Sequence, residues 1–451
     1  MTQALTITAL PYSSDPLGIF ACLRERPGAV LLDSGRPVAT GRFDIISSDP
    51  LATLEVTNAG QLQIVSTQLS PPAHLSNDTF ALQQWLLDQL YIPKETSELP
   101  FLGGLFGYWG YDLGRKTLSI PSEQTRPVSL PQARLGLYDW CITLDHVTQQ
   151  AWLMATPERR QQVQEWLALA PPQPRSFTLT STFQSELSQA QYVTRFNAVQ
   201  RYIRAGDCYQ INLAQRFYAD YQGDEWQAYL QLREATPTPF SGFMAWDDKA
   251  VLSLSPERFL QCRNREVETR PIKGPRPRGT TPEADQALAE QLLSSSKDRA
   301  ENVMIVDLLR NDLGRVCQPG SIRVPQLCRL ESYPNVHHLV SVVQGTLADN
   351  HTPLALLKTA FPGGSITGAP KIRAMQIIDE LEPCQRSVYC GSLGYVDVRG
   401  SMDTSIAIRT MVAEAGRVHV WGGGGLVADS QAVEEYTETL DKIRHLIGAL
   451  E

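Results

Sequence analysis

At 451 residues the chain is long enough for one very large or two medium globular units, and its 42% apolar content supplies a core, which excludes a disordered protein. A formal net charge of −8 argues against nucleic acid or an acidic membrane as partner, so an anionic ligand has to be met by a few placed cations and backbone amides. Eight cysteines without a Cys-x-x-Cys pair suggest neither a disulfide framework nor a zinc site. The opening MTQALTITALPYSSDP lacks the basic and apolar regions of a signal peptide, and no run of apolar residues is long enough to span a bilayer, so a soluble protein of the reducing cytoplasm is expected.

Residues 1 to about 160 read mostly as β-structure: GAVLLDSG, RFDIISSDP, ATLEVTN and GQLQIVST are apolar runs punctuated by turn residues, followed by a helical TFALQQWLLDQL. FLGGLFGYWGYDLG interleaves glycines and aromatics from Phe101 to Gly114, which suits closely approaching backbones in a core more than a helix. ARLGLYDWCITLDH and QQAWLMAT are expected to pair as a hairpin, and a helix follows near 157–169. The proline cluster PPQPRS marks a boundary between a region 1–170 and a region 185–451. Ser188 is placed to cap a helix whose apolar residues Tyr192, Phe196, Val199 and Ile203 recur at helical spacing, and Gly206 is placed to end it.

The strands FSGFMAW, AVLSLS and RFLQCR lead to the segment around Lys273. Glu257 and Lys273 put a carboxylic acid and an amine in neighbouring, adjacent β-segments, and a partly desolvated lysine with a lowered pKa is a carbon nucleophile. Beyond it, TPEADQALAEQLLSSSKDRAENVMIVDLLRNDLGRV is helical with a break at serines 294–296, and Asp298 and Glu301 share a face with Ile305 and Leu308. Glu435 and Glu438 form a second helical carboxylate pair, and four such acids have the composition to hold a hard divalent ion such as Mg²⁺. Solvated acidic helix faces are commoner than metal sites, just as the glycine-rich runs 422–425 and PGGSITGAP are commoner as plain turns than as anion sites. Neither run is a Walker or dinucleotide loop, which disfavours ATP and NAD. His337 and His338 stand apart from any hydrolase or zinc motif.

The motifs IRAGDCYQINLAQRF, LSPERFL, PIKG, KDRAENVMIVDLLRNDLGRV, HHLVS, FPGGSITGAPK, GYV, MDTSIAIRT and GGGGLVADS occur in one order. In that order the chain resembles the chorismate-utilising enzymes, among them the anthranilate, isochorismate, salicylate and aminodeoxychorismate synthases, most strongly from about 188 to 447. The resemblance implies an α+β body of two mostly antiparallel sheets packed on each other with helices outside. It also implies Mg²⁺ held by Glu301 and Glu438, with Asp298 and Glu435 nearby, against the ring carboxylate of chorismate. Arg409 would grip the enolpyruvyl carboxylate, helped by Tyr389 and the amides of Gly423, Gly424 and Gly425. Gly274, Pro275 and Arg276 would lie along the substrate, and His338 matches the family's active-site histidine.

Two positions bear on the reaction. Isochorismate and salicylate synthases have a water-activating lysine where this chain has Gln210, so water addition is not expected. Anthranilate synthases have alanine at the position of Lys273, whereas lysine marks the members that form aminodeoxychorismate. There the amine would attack carbon 2 while Glu257 protonates the departing carbon-4 hydroxyl, and ammonia at carbon 4 would then expel the lysine. Pro275 replaces the family's usual threonine and removes a hydroxyl and an amide donor beside the substrate. No glutaminase motif is visible, so ammonia is expected from a separate glutamine amidotransferase subunit. Anthranilate synthesis, or a catalytically silent subunit of the same fold, are the alternatives. Family members carry an LLES-like segment that binds tryptophan; here it reads LLDSG, and Ser34, Arg42, Phe43, Pro239, Phe240 and Ser241 are the corresponding candidates, unless they merely pack the two halves together.

Overall fold

The computed structural model describes residues 5–36, 41–66, 69–75, 77–90, 97–173, 175–333 and 336–451; the side chain of Pro275 lies outside that description. Two antiparallel sheets dominate, one of 13 strands and one of 11. Both take strands from before and after the proline cluster. Val30–Asp33 pairs with Phe240–Trp246 in the larger sheet, and Gly104–Trp109 pairs with Ser392–Asp397 in the smaller one.

Strands of the larger sheet are covered on both faces, which is why they read as continuous apolar runs rather than as alternations. One face, with Val30, Ile45, Val251 and Val412, packs on the smaller sheet in the main core. The other face, with the next residues along, Leu31, Ile46, Leu252 and Met411, packs under the helices Leu17–Leu23, Pro157–Leu167, Glu225–Ala235 and Ala432–Leu450. A third cluster seats Tyr192, Phe196 and Val199 against Ile211, Leu213 and Ile378.

Local signals hold where they were expected. Ser188 caps the helix Gln189–Ala205 in a capping box with Gln191, and Gly206 ends it in the left-handed conformation at φ 82°. Ser295 separates the helices Pro282–Ser294 and Ser296–Leu313 and caps the second. Two expectations change. After the buried strand Gly104–Trp109, Tyr111–Thr117 is a short helix. ARLGLYDWCITLDH is two strands in different sheets: Ala133–Tyr138 joins the smaller, while Cys141–Asp145 joins the larger and forms the hairpin with Gln150–Ala155. Among the described residues no helix is long and apolar enough to cross a membrane, and the eight cysteines are unpaired.

Candidate active site

The chain crosses repeatedly from one sheet to the other, and two crossovers supply site residues. Lys249–Ser255 lies in the larger sheet and Arg258–Arg263 in the smaller, with Glu257 at the junction. Met402–Ile406 and Thr410–Glu414 make the reverse passage, and Arg409 turns it at φ 49°. The junctions are laced together: Ile406 N–H donates to the Glu257 carbonyl at 3.0 Å and Leu254 N–H to the Arg409 carbonyl at 3.0 Å.

Glu257 is buried, and Ser365 Oγ donates to its Oε1 at 3.2 Å. Burial pushes its carboxyl up to about 7, against the opposing pull of Lys273 and the hydrogen bonds from Ser365 and Ile272 N–H. The acid therefore retains its proton close to neutrality. Arg409 is mostly buried and its guanidinium has no carboxylate or hydrogen-bond partner among the described residues; desolvation pulls its pKa below the ordinary value. An unpaired buried guanidinium is costly unless an anion arrives to meet it.

Lys273 sits on Ile272–Pro277, which pairs with Val336–Thr346 and not with the strand that follows Glu257. The acid and the amine are thus not on adjacent strands, and meet because both strands approach the same end of the smaller sheet. Lys273 Nζ is 3.3 Å from Glu301 Oε2. Across the strand pair, His337 and His338 point to opposite faces, as period-2 geometry requires. His337 bonds Ser332 at 2.7 Å and Asp285 at 3.0 Å. His338 is buried with neither ring nitrogen bonded, and burial, then Arg409 and His337, lower its pKa to about 3, so its imidazole is neutral.

The glycine run lies inside a strand, Arg417–Leu426, paired with Gln210–Gln222. Glycine is required there by close approach: a Cβ on Gly422 would lie 2.2 Å from the Thr439 carbonyl of the final helix. The next three glycines open toward the site. A Cβ on Gly423 would meet Tyr389 Oη at 2.9 Å, one on Gly424 would meet Glu435 Oε2 at 3.1 Å and Glu438 Oε1 at 3.5 Å, and one on Gly425 would meet Gln210 Nε2 at 2.7 Å and Lys273 Nζ at 3.4 Å. Gln210 is fully buried with both amide atoms unbonded, and Tyr389 stacks on Trp421 at 6.1 Å between ring centres. Gln210, His338 and Glu435 Oε2 are among the buried polar groups left without partners, and together they can meet a polar ligand.

Each metal candidate carboxylate except Asp298 is tied to a lysine: Glu301 to Lys273, Glu435 to Lys297 at 3.2 Å, and Glu438 to Lys442 at 2.7 Å. Asp298 pairs with Arg276 at 2.9 Å, and Gly274, at φ 62°, packs so closely that a Cβ would lie 2.9 Å from the Asp298 carboxyl carbon. Among the described residues no three His, Cys, Asp or Glu side chains converge as a ready metal-binding group. The donors nevertheless suit a hard divalent ion in kind: all are carboxylate oxygens, and the buried Glu435 Oε2 has no partner. Sequence reasoning missed Ser365, Lys297 and Lys442. Lys442 had a signal, four residues after Glu438 on one helix, whereas the partners of Ser365 and Lys297 lie far away in the chain.

A separate cavity of about 420 Å³ between the sheets is lined by Arg42, Phe43, Pro239, Phe240 and Ser241 among others. Ser34 stands behind Gly41 in its wall, with its amide donating to Asp44 Oδ1 at 2.6 Å.

Two packed sheets bring the carboxyl of Glu257, the side chain of Lys273 and the unpaired guanidinium of Arg409 to one end, an arrangement suited to a small anionic ligand. The chain belongs to the chorismate binding enzyme family, whose profile matches residues 29–448. It is 45% identical to aminodeoxychorismate synthase component 1 of Salmonella typhimurium, over 100% of this chain and 99% of that one. It is 47% identical to the Escherichia coli protein of the same name over 96% and 95%, and 36% identical to anthranilate synthase component 1 of Pseudomonas putida over 96% and 92%. Anthranilate synthase component I from Streptococcus pneumoniae superposes with a TM-score of 0.78 at 31% identity, covering 90% of this chain and 92% of that chain. The menaquinone-specific isochorismate synthase from Escherichia coli shares the fold, with a TM-score of 0.76 at 18% identity over 100% and 95%.

Proposed function

We propose that the chain is the synthase subunit that converts chorismate and ammonia to 4-amino-4-deoxychorismate, on the route to 4-aminobenzoate and folate, in the cytoplasm. The observation that carries this reading is the presence in one site of an amine, Lys273, and an acid that keeps its proton near neutrality, Glu257. Relatives named aminodeoxychorismate synthase component 1, at 45 to 47% identity over nearly the whole chain, support it over anthranilate synthesis.

Arg409 receives the enolpyruvyl carboxylate, exchanging an unpaired buried charge for a charge-assisted fork. Neutral His338 and Gln210 offer hydrogen bonds that orient the substrate without adding charge, and Tyr389 with Gly423 to Gly425 forms the wall against which it lies. Gly274, Pro275 and Arg276 border the opposite side. The Lys273 ammonium gives up one proton to solvent and its nitrogen forms a bond to carbon 2; the ring double bond shifts and the carbon-4 hydroxyl leaves as water with the proton of Glu257. Ammonia then bonds to carbon 4, the double bond returns, and the lysine amine departs. Two displacements leave the configuration at carbon 4 unchanged.

Mg²⁺, held by Glu301 and Glu438 with Glu435 and Asp298 beside them, would supply neutralising charge for the ring carboxylate. Ammonia comes from a glutamine amidotransferase subunit. The cavity lined by Arg42, Phe43 and Pro239 to Ser241 is read as a tryptophan site, its apolar and arginine-bearing wall suiting an aromatic amino acid; Ser34 supports that wall.

The test is turnover of chorismate with Mg²⁺ by the purified chain, with products resolved by chromatography. Aminodeoxychorismate is expected with ammonium salt, none with glutamine alone, and glutamine use on adding the amidotransferase. Anthranilate and pyruvate as the main products would reassign the reaction, and glutamine-dependent turnover by the pure chain would remove the need for a partner.

A further inference from the structure

The three lysines of the site differ in how firmly they are held. Lys442 donates to the Gly423 carbonyl at 2.7 Å besides pairing with Glu438, and Lys273 lies inside the site with its side chain 14% exposed. Lys297 holds Glu435 alone, with its own side chain 45% exposed and that of Glu435 3%. Nothing on its own helix recommends a lysine there. It is the second residue of Ser296–Leu313, where the helix dipole disfavours a cation, and it precedes Glu301 by four residues, the weaker order for such a pair. Its anchoring comes from across the site, where Glu435 on the last helix lies 3.2 Å from its ammonium. It therefore reaches across the site to Glu435, one of the four carboxylates assigned to the cation, whose second oxygen has no hydrogen-bond partner among the described residues.

Charge counting gives this arrangement a consequence. Four cationic groups, Lys273, Arg276, Lys297 and Lys442, balance four carboxylates, Glu301, Asp298, Glu435 and Glu438. A divalent cation entering that neutral, partly buried set meets repulsion as large as its attraction unless one ammonium withdraws. Lys297 can do so, because its long stem already reaches water and the entering cation takes over the charge that it supplies to the buried Glu435.

We propose that Lys297 is a displaceable counter-ion of the metal site: its ammonium holds Glu435 while no divalent cation is bound, swings out when one is coordinated, and thereby sets the cation affinity. This rests on the reading that Glu301 and Glu438, with Glu435 and Asp298 beside them, take the divalent cation. Lys297 is on this view a positioning residue that competes with the metal and forms no contact with the reacting atoms.

The experiment is Mn²⁺ binding by the full chain, followed by electron paramagnetic resonance and calorimetry, with and without chorismate. Removing the competitor in Lys297→Gln should tighten Mn²⁺ binding about tenfold without chorismate. Lys297→Arg, which keeps the charge, should bind no more tightly than the wild type and controls for folding. In EDTA, Lys297→Gln should melt lower than the wild type because the buried Glu435 loses its ammonium counter-charge, and the rise in Tm on adding Mn²⁺ should be larger. Unchanged or weaker Mn²⁺ binding by folded Lys297→Gln would overturn the proposal in favour of a plain tether between two helices. Failure of the wild type to bind Mn²⁺ in any condition would instead remove the metal reading itself, and the proposal with it.

Discussion

Replacing Glu257 by glutamine should make the protein more stable at alkaline pH while nearly abolishing turnover. In the folded state burial lifts this carboxyl from its ordinary 4.5 to about 7, against Lys273. The unfolded chain releases the proton near the ordinary value, so between pH 4.5 and about 7 the native state binds more protons, and its stability falls as pH rises through that window. At about 1.4 kcal/mol per pH unit, the cost of the ionised group is about 3 kcal/mol above the window. Glutamine keeps the size of the side chain and still accepts from Ser365 Oγ and Ile272 N–H, but has no charge to bury. With an unfolding entropy of about 2 cal/mol/K per residue over 451 residues, the variant should melt about 3 °C higher at pH 8 and level with the wild type near pH 4.5. Calorimetry across this range is the assay. The same variant should lose ~10²–10⁴ in kcat, and wild-type kcat/KM should decline as pH rises past about 7, where the acid loses its proton. A Tm difference that is absent, or that does not grow with pH, would refute the buried-acid argument.

Lys273→Ala should abolish most aminodeoxychorismate formation, and wild-type enzyme given chorismate and Mg²⁺ without ammonia should carry an adduct on Lys273, located by intact mass and peptide mapping. A raised KM with unchanged kcat in the variant, and no adduct, would reduce the lysine to a carboxylate-binding charge. Glu301→Gln should weaken metal-dependent activity by orders of magnitude while leaving Tm near the wild-type value, and an unaltered Mg²⁺ titration would count against Glu301 as a ligand. Gly425→Ala should fold, since its backbone needs no left-handed conformation, yet the methyl would lie 2.7 Å from Gln210 Nε2 and 3.4 Å from Lys273 Nζ. Activity should fall chiefly through KM, and full activity in this variant would show that substrate does not pass between those side chains.

Much of this protein is legible from residues read a few at a time. Caps, breaks and buried strands are local events: Ser188 with Gln191, the left-handed Gly206 and the break at Ser295 each follow from side chains within one helical turn. The ordered motifs carry the family in the same way, because each is a short stretch held to a fixed spacing. Lys273, Glu257, Arg409, Gln210 and the carboxylate pairs could therefore be proposed as site residues before any geometry was known.

Which side chains face one another was decided by the tertiary structure. The sequence around 133–145 carries two good strands, yet only the passage from one sheet to the other shows that they do not pair with each other. Glu257 and Lys273 look like neighbours on adjacent strands, but a different strand, Val336–Thr346, lies beside Lys273, and the crossover at Glu257 brings the acid to it. Lys297 and Glu435, 138 residues apart, pair because two helix starts meet at one end of the sheets. Periodicity and capping report the conformation of a chain segment, which is set by contacts over a few residues. The charge balance of a site depends on long-range strand order and crossovers, and no local pattern encodes those.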